Sequence, residues 1–229
     1  MFSIFKRKKE PKPLKWENIT LGQFERMQRL DSKDENYLFN FAAIVFGFGI
    51  DDFSNLPLSE VNEYMARVQP LLNEAPQGDL SSITSNHYKM NGADYRLLGY
   101  GNEMTLAQYI DFQASYKTCG ENMAEFLSII LVPMDKTYNE GYTRDDVAED
   151  IRRYMPITDA IGLSRFFFRK WRKSVESSLT FSERVLMARL FKERKTLTEE
   201  ERMDIDKALT GLRLQRKVMR EQERELGFR

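Results

Sequence analysis

The chain has 229 residues, of which 41% are hydrophobic and 31% are charged. This composition is typical of a folded, mostly helical soluble protein and excludes a disordered chain. The lone cysteine, Cys119, excludes an intramolecular disulfide and favours a reducing compartment. The longest apolar runs, residues 39–50 and 126–133, are shorter than the roughly 20 residues that span a bilayer, so we expect no membrane-spanning segment.

The net charge is zero, but the charges are unevenly distributed. Residues 1–15 carry 6 basic and 1 acidic side chains, residues 165–229 carry 18 and 11, and the residues between carry 11 and 23. The two ends are therefore basic and the middle is acidic, a pattern that could pair with itself, with another copy or with an anionic surface. We expect salt-dependent self-association before nucleic-acid binding, because the basic densities are modest.

The first predicted segment is an exposed basic arm over residues 1–15. Pro11 and Pro13 break any helix, and the charges cannot be buried. The arm is either an anion-binding tail or a solubilising terminus that becomes ordered only against a partner. Its candidate interaction residues are Lys6, Arg7, Lys8 and Lys9.

A six-residue motif occurs twice. Ile19-Thr-Leu-Gly-Gln-Phe24 returns 85 residues later as Met104-Thr-Leu-Ala-Gln-Tyr109. Further matches continue at offsets of 85 or 86: Gln28 with Gln113, Glu35-Asn36 with Glu121-Asn122, Val61 with Val147, and Pro70 with Pro156. One inserted residue reconciles these offsets, so the sequence predicts an internal duplication of residues 16–76 and 101–162.

Both copies of the motif predict a helix start. Thr20 with Gln23, and Thr105 with Gln108, have the capping-box pattern in which a hydroxyl and a glutamine satisfy backbone N–H groups of the first turn. This structural role accounts for both glutamines, the alternative being a ligand-binding role. The apolar residues that follow predict one buried stripe in each helix: Leu21, Phe24, Met27 and Leu30 in the first, and Leu106, Tyr109, Ile110 and Phe112 in the second.

Two further helices complete each predicted copy. They cover about 34–46 and 59–72 in the first copy, and 121–132 and 144–154 in the second. Gly47 is expected to end the helix at 34–46, and Thr143 to open the helix at 144–154. The helix at 34–46 is apolar almost all round, which places it in the centre of a bundle.

Between the copies, residues 82–90 and 93–100 are two β-prone runs around Asn91-Gly92. This dipeptide favours a type I′ turn and predicts a β-hairpin. Because two strands alone are marginally stable, we expect the hairpin to pack on the helices, with pairing to another chain as the alternative.

Residues 163–173 interleave aromatic and basic side chains. This pattern is used to bind nucleic acids or membrane surfaces, but Leu163, Phe167 and Trp171 recur at fours and also predict a core stripe with cationic flanks. The candidate interaction residues here are Arg165, Arg169, Lys170, Trp171, Arg172 and Lys173.

Residues 174–229 predict a charged helical hairpin. Capping boxes at Thr180 and Thr198 are expected to open a helix to about residue 194 and a final helix over about 199–225. An incomplete apolar stripe follows the final helix, formed by Met203, Ala208, Leu212, Val218 and Met219, with Leu209 and Leu214 off it. Such a helix is either exposed or docked on another subunit.

No arrangement of residues in the sequence predicts catalysis. The one histidine, His87, has no second histidine or cysteine near it in sequence, which argues against a zinc site or a histidine-assisted nucleophile. The sequence also lacks a P-loop, a G-x-G-x-x-G motif and calcium-loop spacing. We expect a non-enzymatic protein without a cofactor or a metal.

The order of these parts resembles a family. Two helical units opened by Thr-Leu-x-Gln-Phe/Tyr flank an Asn-Gly hairpin, and the second runs on as Glu121-Asn-Met-Ala-Glu-Phe-Leu-Ser-Ile-Ile-Leu-Val-Pro133. Over residues 16–173 this resembles small helical proteins encoded among the virion and tail morphogenesis genes of tailed phages, particularly crAss-like and other Bacteroidetes phages. The resemblance implies a tail-assembly chaperone or a neck or tail component, whose partners are other virion or tail proteins, in the host cytoplasm during assembly or in the virion. It implies no functional residues.

We therefore predict a mainly α protein, with a duplicated three-helix unit, one β-hairpin between the copies and a long C-terminal helical extension. The expected segments are the arm 1–15, the first repeat 16–80, the hairpin 81–100, the second repeat with the basic-aromatic helix 101–173, and the tail 174–229. The alternative to an assembly protein is a nucleic-acid-binding accessory protein that uses the basic arm and the basic-aromatic helix.

Overall fold

The computed structural model describes residues 14–79, 81, 87–98, 104–115, 118, 122–192 and 197–225. Within them the chain is mainly helical with one small antiparallel sheet, which confirms the predicted fold class. The helices are α1 (Leu21–Gln28), α2 (Tyr37–Phe46), α3 (Ile50–Ser54), α4 (Leu58–Asn73), α5 (Leu106–Ser115), α6 (Met123–Ile130), α7 (Arg144–Tyr154), α8 (Ile157–Lys192) and α9 (Glu199–Glu225); the strands are β1 (His87–Met90), β2 (Ala93–Leu97) and β3 (Leu131–Pro133).

These elements belong to two compact units. Unit 1 comprises the described residues within Met1–Leu97 and Ile110–Ser164, and unit 2 comprises those within Leu98–Tyr109 and Arg165–Arg229. Both units therefore contain two separate stretches of the chain.

The helix starts predicted at Thr20 and Thr105 are confirmed. Thr20 caps α1: its N–H donates to Gln23 Oε1 at 2.9 Å, and the Gln23 N–H donates to Thr20 Oγ1 at 3.3 Å. Thr105 and Gln108 make the same two bonds, at 3.0 and 3.2 Å, before α5. Gln23 has a further structural role, because its Nε2 donates to the carbonyl oxygens of Ile44 and Val45 at the end of α2.

The apolar stripe predicted for α5 is wrong, since three of its four residues are exposed. The exposed fractions are 75% for Leu106, 47% for Tyr109 and 58% for Ile110, and only Phe112 is buried. In α1 the residue matching Leu106 is Leu21, which is 1% exposed because the residues around Pro156 cover it. The structure describes no such cover over α5.

Helix α2 is buried over its second half, residues 41–45, but Leu38 in its first half is 45% exposed. The prediction of burial on every side is therefore wrong for the first half. Gly47 ends the helix as predicted, with φ +75°, a left-handed conformation that glycine adopts without a steric penalty.

The predicted hairpin is confirmed. Asn91 and Gly92 have φ of 49° and 77°, as a type I′ turn requires, and β1 pairs with β2 in the register Tyr88↔Tyr95. The hairpin packs on helices of unit 1: the Tyr88 and Tyr95 hydroxyls donate to the carboxylates of Asp159 and Asp150 at 2.8 and 3.4 Å.

The sheet has a third strand, β3, whose first two residues were predicted to be the end of a helix. Helix α6 ends at Ile130 rather than 132, and β3 pairs antiparallel with β2 in the register Leu97↔Leu131. Pro133 favours an extended conformation at the residue before it, and β2 supplies backbone partners that a continued helix would leave unused.

In unit 2, the helix start predicted at Thr180 is wrong. Helix α8 passes through Thr180, whose hydroxyl donates to the Glu176 carbonyl oxygen at 2.7 Å, one turn back. The capping box at Thr198 is confirmed, with N–H donations from Thr198 to Glu201 Oε2 and from Glu201 to Thr198 Oγ1 at 2.9 and 3.2 Å.

Helix α9 buries a different face from the predicted one. Ile205 and Leu209 are buried with Leu197 and pack against Leu186 and Met187 of α8. Two residues of the predicted stripe, Met203 and Val218, are 53% and 43% exposed.

Candidate functional site

An ion-pair cluster joins α1, α6 and α7 of unit 1. Arg152 Nε donates to Glu25 Oε2 at 3.1 Å, its Nη2 donates to Glu125 Oε1, and its Nη1 lies 3.8 Å from Glu149 Oε2. Glu25 is 7% exposed, whereas the Glu149 side chain is 72% exposed. One guanidinium group thus contacts carboxylates from three helices.

Glu25 also caps a helix to which it does not belong. The Ala124 N–H, in the first turn of α6, donates to Glu25 Oε1 at 3.4 Å, and the side chain of Asn122, the N-cap residue of α6, makes no capping bond. A carboxylate is favoured here because the first-turn N–H groups carry the positive end of the helix dipole. Glu25 therefore accepts a hydrogen bond from the first turn of α6, which the N-cap side chain of Asn122 does not do.

The neighbouring carboxylates of the cluster favour the charged form of Arg152. Burial alone would lower the pKa of Arg152, but the nearby Glu125 and Glu25 carboxylates raise the pKa above its ordinary value. The two carboxylates therefore stabilise the charged form of the Arg152 guanidinium group.

A close helix contact makes the cluster possible. A Cβ atom at Gly22 would lie 2.8 Å from the Arg152 carbonyl oxygen, which is too short for a real contact. Glycine at this position therefore lets α1 approach the backbone of α7.

An open groove of about 530 Å³ runs beside the cluster. We call it the arginine groove; it is lined by Thr20, Gly22, Gln23, Glu25, Arg26, Arg29, Glu149, Arg152 and Arg153. Arg26 and Arg29 are exposed and form no ion pair with the residues that the structure describes, and the Arg153 guanidinium lies 5.4 Å from the centre of the Tyr154 ring. Exposed guanidinium groups of this kind bind carboxylate or phosphate groups.

The described interaction residues that were predicted from the sequence all belong to α8. Lys6, Arg7, Lys8 and Lys9 fall outside the described residues, as does the side chain of Arg172. In unit 2, Arg165, Arg169 and Lys173 are exposed at spacings of four along α8, so they lie on one side of the helix.

The same stretch of α8 confirms the predicted core stripe. Leu163 and Phe167 are buried, and Trp171 is half-buried. Lys170 lies against an aromatic ring, with its Nζ 4.4 Å from the centre of the Phe166 ring.

A second ion-pair cluster lies within unit 2. Glu183 of α8 accepts from Arg213 Nε at 3.5 Å and from Arg216 Nη2 at 3.2 Å, and Arg216 also donates to Thr180 Oγ1 at 3.3 Å. These bonds supplement the apolar contact between α8 and α9.

Both helices of this pair also have exposed apolar side chains, on the side opposite their mutual contact. On α8, Phe181 is 69% exposed and Val185 is 49% exposed; on α9, Met203, Leu214 and Val218 are 53%, 60% and 43% exposed. The spacing of 11 and 4 residues puts the α9 set on one side of the helix, opposite Ile205 and Leu209. Each helix therefore has one apolar face that is buried and one that is exposed.

The arginine groove was not predicted from the sequence. The available signal was Glu25, which follows Leu21 by four residues and so lies on the predicted buried side of α1. A carboxylate at a core position indicates a buried partner, but the sequence does not identify Arg152, 127 residues away, as that partner.

These features define a mainly helical protein with a three-stranded antiparallel sheet and with charged clusters that link its helices. Comparison with protein-family models, with curated proteins and with solved structures finds no match to this chain. Among the described residues, no helix combines the length and the hydropathy needed to cross a membrane, and no three histidine, cysteine or acidic residues are grouped so that they could hold a metal ion.

Proposed function

We propose that this protein is a non-enzymatic component of tailed-phage assembly that acts through protein–protein contacts, either as a tail-assembly chaperone or as a structural part of the neck or tail. The observation that carries the proposal is the pair of exposed apolar faces on α8 and α9. The resemblance of residues 16–173 to phage morphogenesis proteins supports the phage setting, in the host cytoplasm or in the virion.

Leaving these apolar faces in water is energetically unfavourable. Burying an exposed Phe or Leu side chain contributes about 1.5–3 kcal/mol, so a partner that covers Phe181 and Leu214 gains binding energy from both. Exposed apolar side chains rimmed by polar residues are characteristic of protein interaction sites. Here the rim contains the exposed residues Ser182, Arg184 and Gln215.

The test places substitutions in the phage that encodes the protein. Phe181→Glu combined with Leu214→Glu should reduce the yield of complete tailed particles, counted by electron microscopy. Ser182→Glu combined with Gln215→Glu is the matched control, because it adds the same charge at neighbouring exposed positions, and it should assemble normally.

Mass spectrometry of purified virions then separates the two roles. A structural component persists in the particle, whereas a chaperone is found only in intracellular assembly intermediates. Normal assembly by the Phe181→Glu, Leu214→Glu phage, together with absence of the wild-type protein from virions and intermediates, would overturn the proposal.

A second candidate, nucleic-acid binding, is favoured by the exposed row of Arg165, Arg169 and Lys173. Phosphate contacts from such a row would make binding to labelled DNA or RNA weaken as salt rises. Arg165→Glu with Arg169→Glu should then abolish binding, while the equally large charge change Arg26→Glu with Arg29→Glu should leave it intact. Salt-independent binding, or binding indifferent to the α8 pair, contradicts this function.

A further inference from the structure

The repeated motif has different surroundings in its two copies. In the first copy, Thr20 forms an isolated antiparallel bridge with Pro156. The Leu21 N–H donates to the Met155 carbonyl oxygen, and the Ile157 N–H donates to the Ile19 carbonyl oxygen, both at 2.8 Å. All four apolar residues of this bridge are at most 1% exposed.

The segment that covers the first copy of the motif has a short sequence pattern. It consists of an apolar residue, a proline and a second apolar residue, Met155-Pro156-Ile157, and the last of these is the first residue of α8. The two hydrogen bonds come from the residues on either side of the proline. A proline at the centre therefore costs no hydrogen bond, although it has no N–H.

In the second copy the same bonding groups have no hydrogen-bond partner among the described residues. The Leu106 N–H and the Met104 carbonyl oxygen correspond to the groups of Leu21 and Ile19 that bond to the covering segment. Neither forms a hydrogen bond with any residue that the structure describes. Leu106 is 75% exposed, and Tyr109 and Ile110 extend the uncovered apolar surface along α5.

A second segment has the same sequence pattern as Met155-Pro156-Ile157, but it is exposed. Leu56-Pro57-Leu58 has the same order of residues, and Leu58 is the first residue of α4. Pro57 has φ −55° and ψ 139°, close to polyproline II geometry. Leu58 is 75% exposed, and within the described part of the chain neither its N–H nor the Leu56 carbonyl oxygen is hydrogen-bonded.

We propose that the protein associates head to tail, with Leu56-Pro57-Leu58 of one copy forming an antiparallel bridge with Met104-Thr105-Leu106 of a second copy. The bridge between molecules repeats the one that Thr20 forms with Pro156 inside a single molecule: Leu106 N–H donates to the Leu56 carbonyl oxygen, and Leu58 N–H donates to the Met104 carbonyl oxygen. The occupant is a second copy because the chain carries both an uncovered motif and an uncovered segment of the kind that covers it.

This contact uses two different surfaces, so it does not close after two copies. Each molecule in a dimer still has one free segment and one free motif, and association continues into a ring or an open chain. The inference goes beyond the proposed function and does not depend on the phage setting.

Sedimentation velocity over a concentration series tests the inference. The wild-type protein should form dimers and larger species as its concentration rises. Leu58→Glu and Leu106→Glu should each remain monomeric, because each destroys one of the two surfaces, and both positions are exposed enough for the fold to be kept, as circular dichroism will check. Leu38→Glu, at an exposed position of α2, is the matched control and should associate like the wild type.

Mixing the two defective variants gives the decisive result. The Leu58→Glu variant keeps the motif around Leu106, and the Leu106→Glu variant keeps the segment around Leu58. One molecule of each can therefore form a single bridge, so an equimolar mixture should form dimers and nothing larger. The double variant should join neither partner. A wild-type protein that stays monomeric, single variants that associate like the wild type, or a mixture that stays monomeric overturns the inference.

The experiments can refute self-association without refuting the proposed function, and they can refute the proposed function without refuting self-association. The assembly test uses Phe181 and Leu214, whereas this test uses Leu58 and Leu106 in purified protein. Phages can require the α8 and α9 faces while the protein is a monomer, and the protein can self-associate without any role in a phage.

Discussion

Glu25 is the carboxylate on which the contact among α1, α6 and α7 depends. It is buried, it bonds to Arg152, and it accepts from the first turn of α6. Glu25→Ala should lower the free energy of unfolding by about 3 kcal/mol, because it leaves a guanidinium group and a helix start without this partner. Urea unfolding followed by circular dichroism measures the change.

The matched control for this substitution is Glu149→Ala. Glu149 contacts the same guanidinium group from a side chain that is 72% exposed, and such pairs contribute about 0–1 kcal/mol. A double-mutant cycle with Arg152→Ala should give a coupling energy above about 1 kcal/mol for Glu25 and near zero for Glu149. Equal couplings would show that burial does not set the strength of these pairs.

Two helical glycines give opposite expectations for the same substitution. Gly22→Ala should destabilise the protein by about 1–3 kcal/mol, because the added Cβ would lie 2.8 Å from the Arg152 carbonyl oxygen. Gly211→Ala, in α9, meets nothing within 4 Å and should stabilise by about 0.5–1 kcal/mol through helix propensity. Thermal unfolding of the two variants gives the signs, and stabilisation by Gly22→Ala would contradict the close contact.

Single residues were the hardest features to predict from the sequence. The capping roles of Thr20 and Gln23 are local, so four consecutive residues contain the information. The roles of Glu25 and Gly22 depend on Arg152, and only the tertiary fold brings that residue to them. The same reason explains why the exposed arginine groove was missed.

At the scale of whole elements, local signals predicted the hairpin turn and the helix starts at Thr20, Thr105 and Thr198, but they wrongly predicted a helix start at Thr180 and missed some helix ends. Thr143 opens α7 and Gly47 ends α2, as expected from residues close in sequence. The strand β3 was missed because its preference for an extended conformation is realised by pairing with β2, more than 30 residues earlier. Non-local pairing of this kind overrides the helical preference of a short apolar run.

The two capping-box sequences in unit 2 show that the tertiary context decides whether such a sequence begins a helix. Thr198→Ala should cost about 1 kcal/mol, because Thr198 caps α9. Thr180→Ala should change the free energy of unfolding by less than about 0.5 kcal/mol, since the gain in helix propensity offsets the lost bond to Arg216. Denaturant unfolding compares the two, and a cost at Thr180 equal to that at Thr198 would indicate a helix boundary inside α8.

For the whole molecule, the sequence predicted the mainly helical class and an internal duplication. The matching caps at Thr20 and Thr105 support the duplication, while superposition of the two copies and the predicted segment boundaries remain predictions. The division into two units could not be read from the chain, because each unit combines stretches that are separated in sequence. Repeated helix starts do not specify which stretches share a core.

The two tryptophans report on the two units separately. Trp16 is in unit 1, where its Nε1 donates to the Glu74 carbonyl oxygen and its ring packs edge-on against Phe24, whereas Trp171 is in unit 2. Among the described residues, the largest fully buried side chains other than Phe167 all belong to unit 1, Phe53 and Phe126 among them, while the cluster of Leu197, Ile205 and Leu209 in unit 2 is 4–7% exposed.

We therefore expect unit 2 to unfold at a lower denaturant concentration than unit 1. Fluorescence of Trp16→Phe, which retains Trp171, should change at a lower urea midpoint than fluorescence of Trp171→Phe, which retains Trp16. Circular dichroism of each variant is the control, because it detects both units and should show both transitions in each protein. Coincident midpoints from both tryptophans and from circular dichroism would mean that the two cores unfold in one cooperative step, contrary to this expectation.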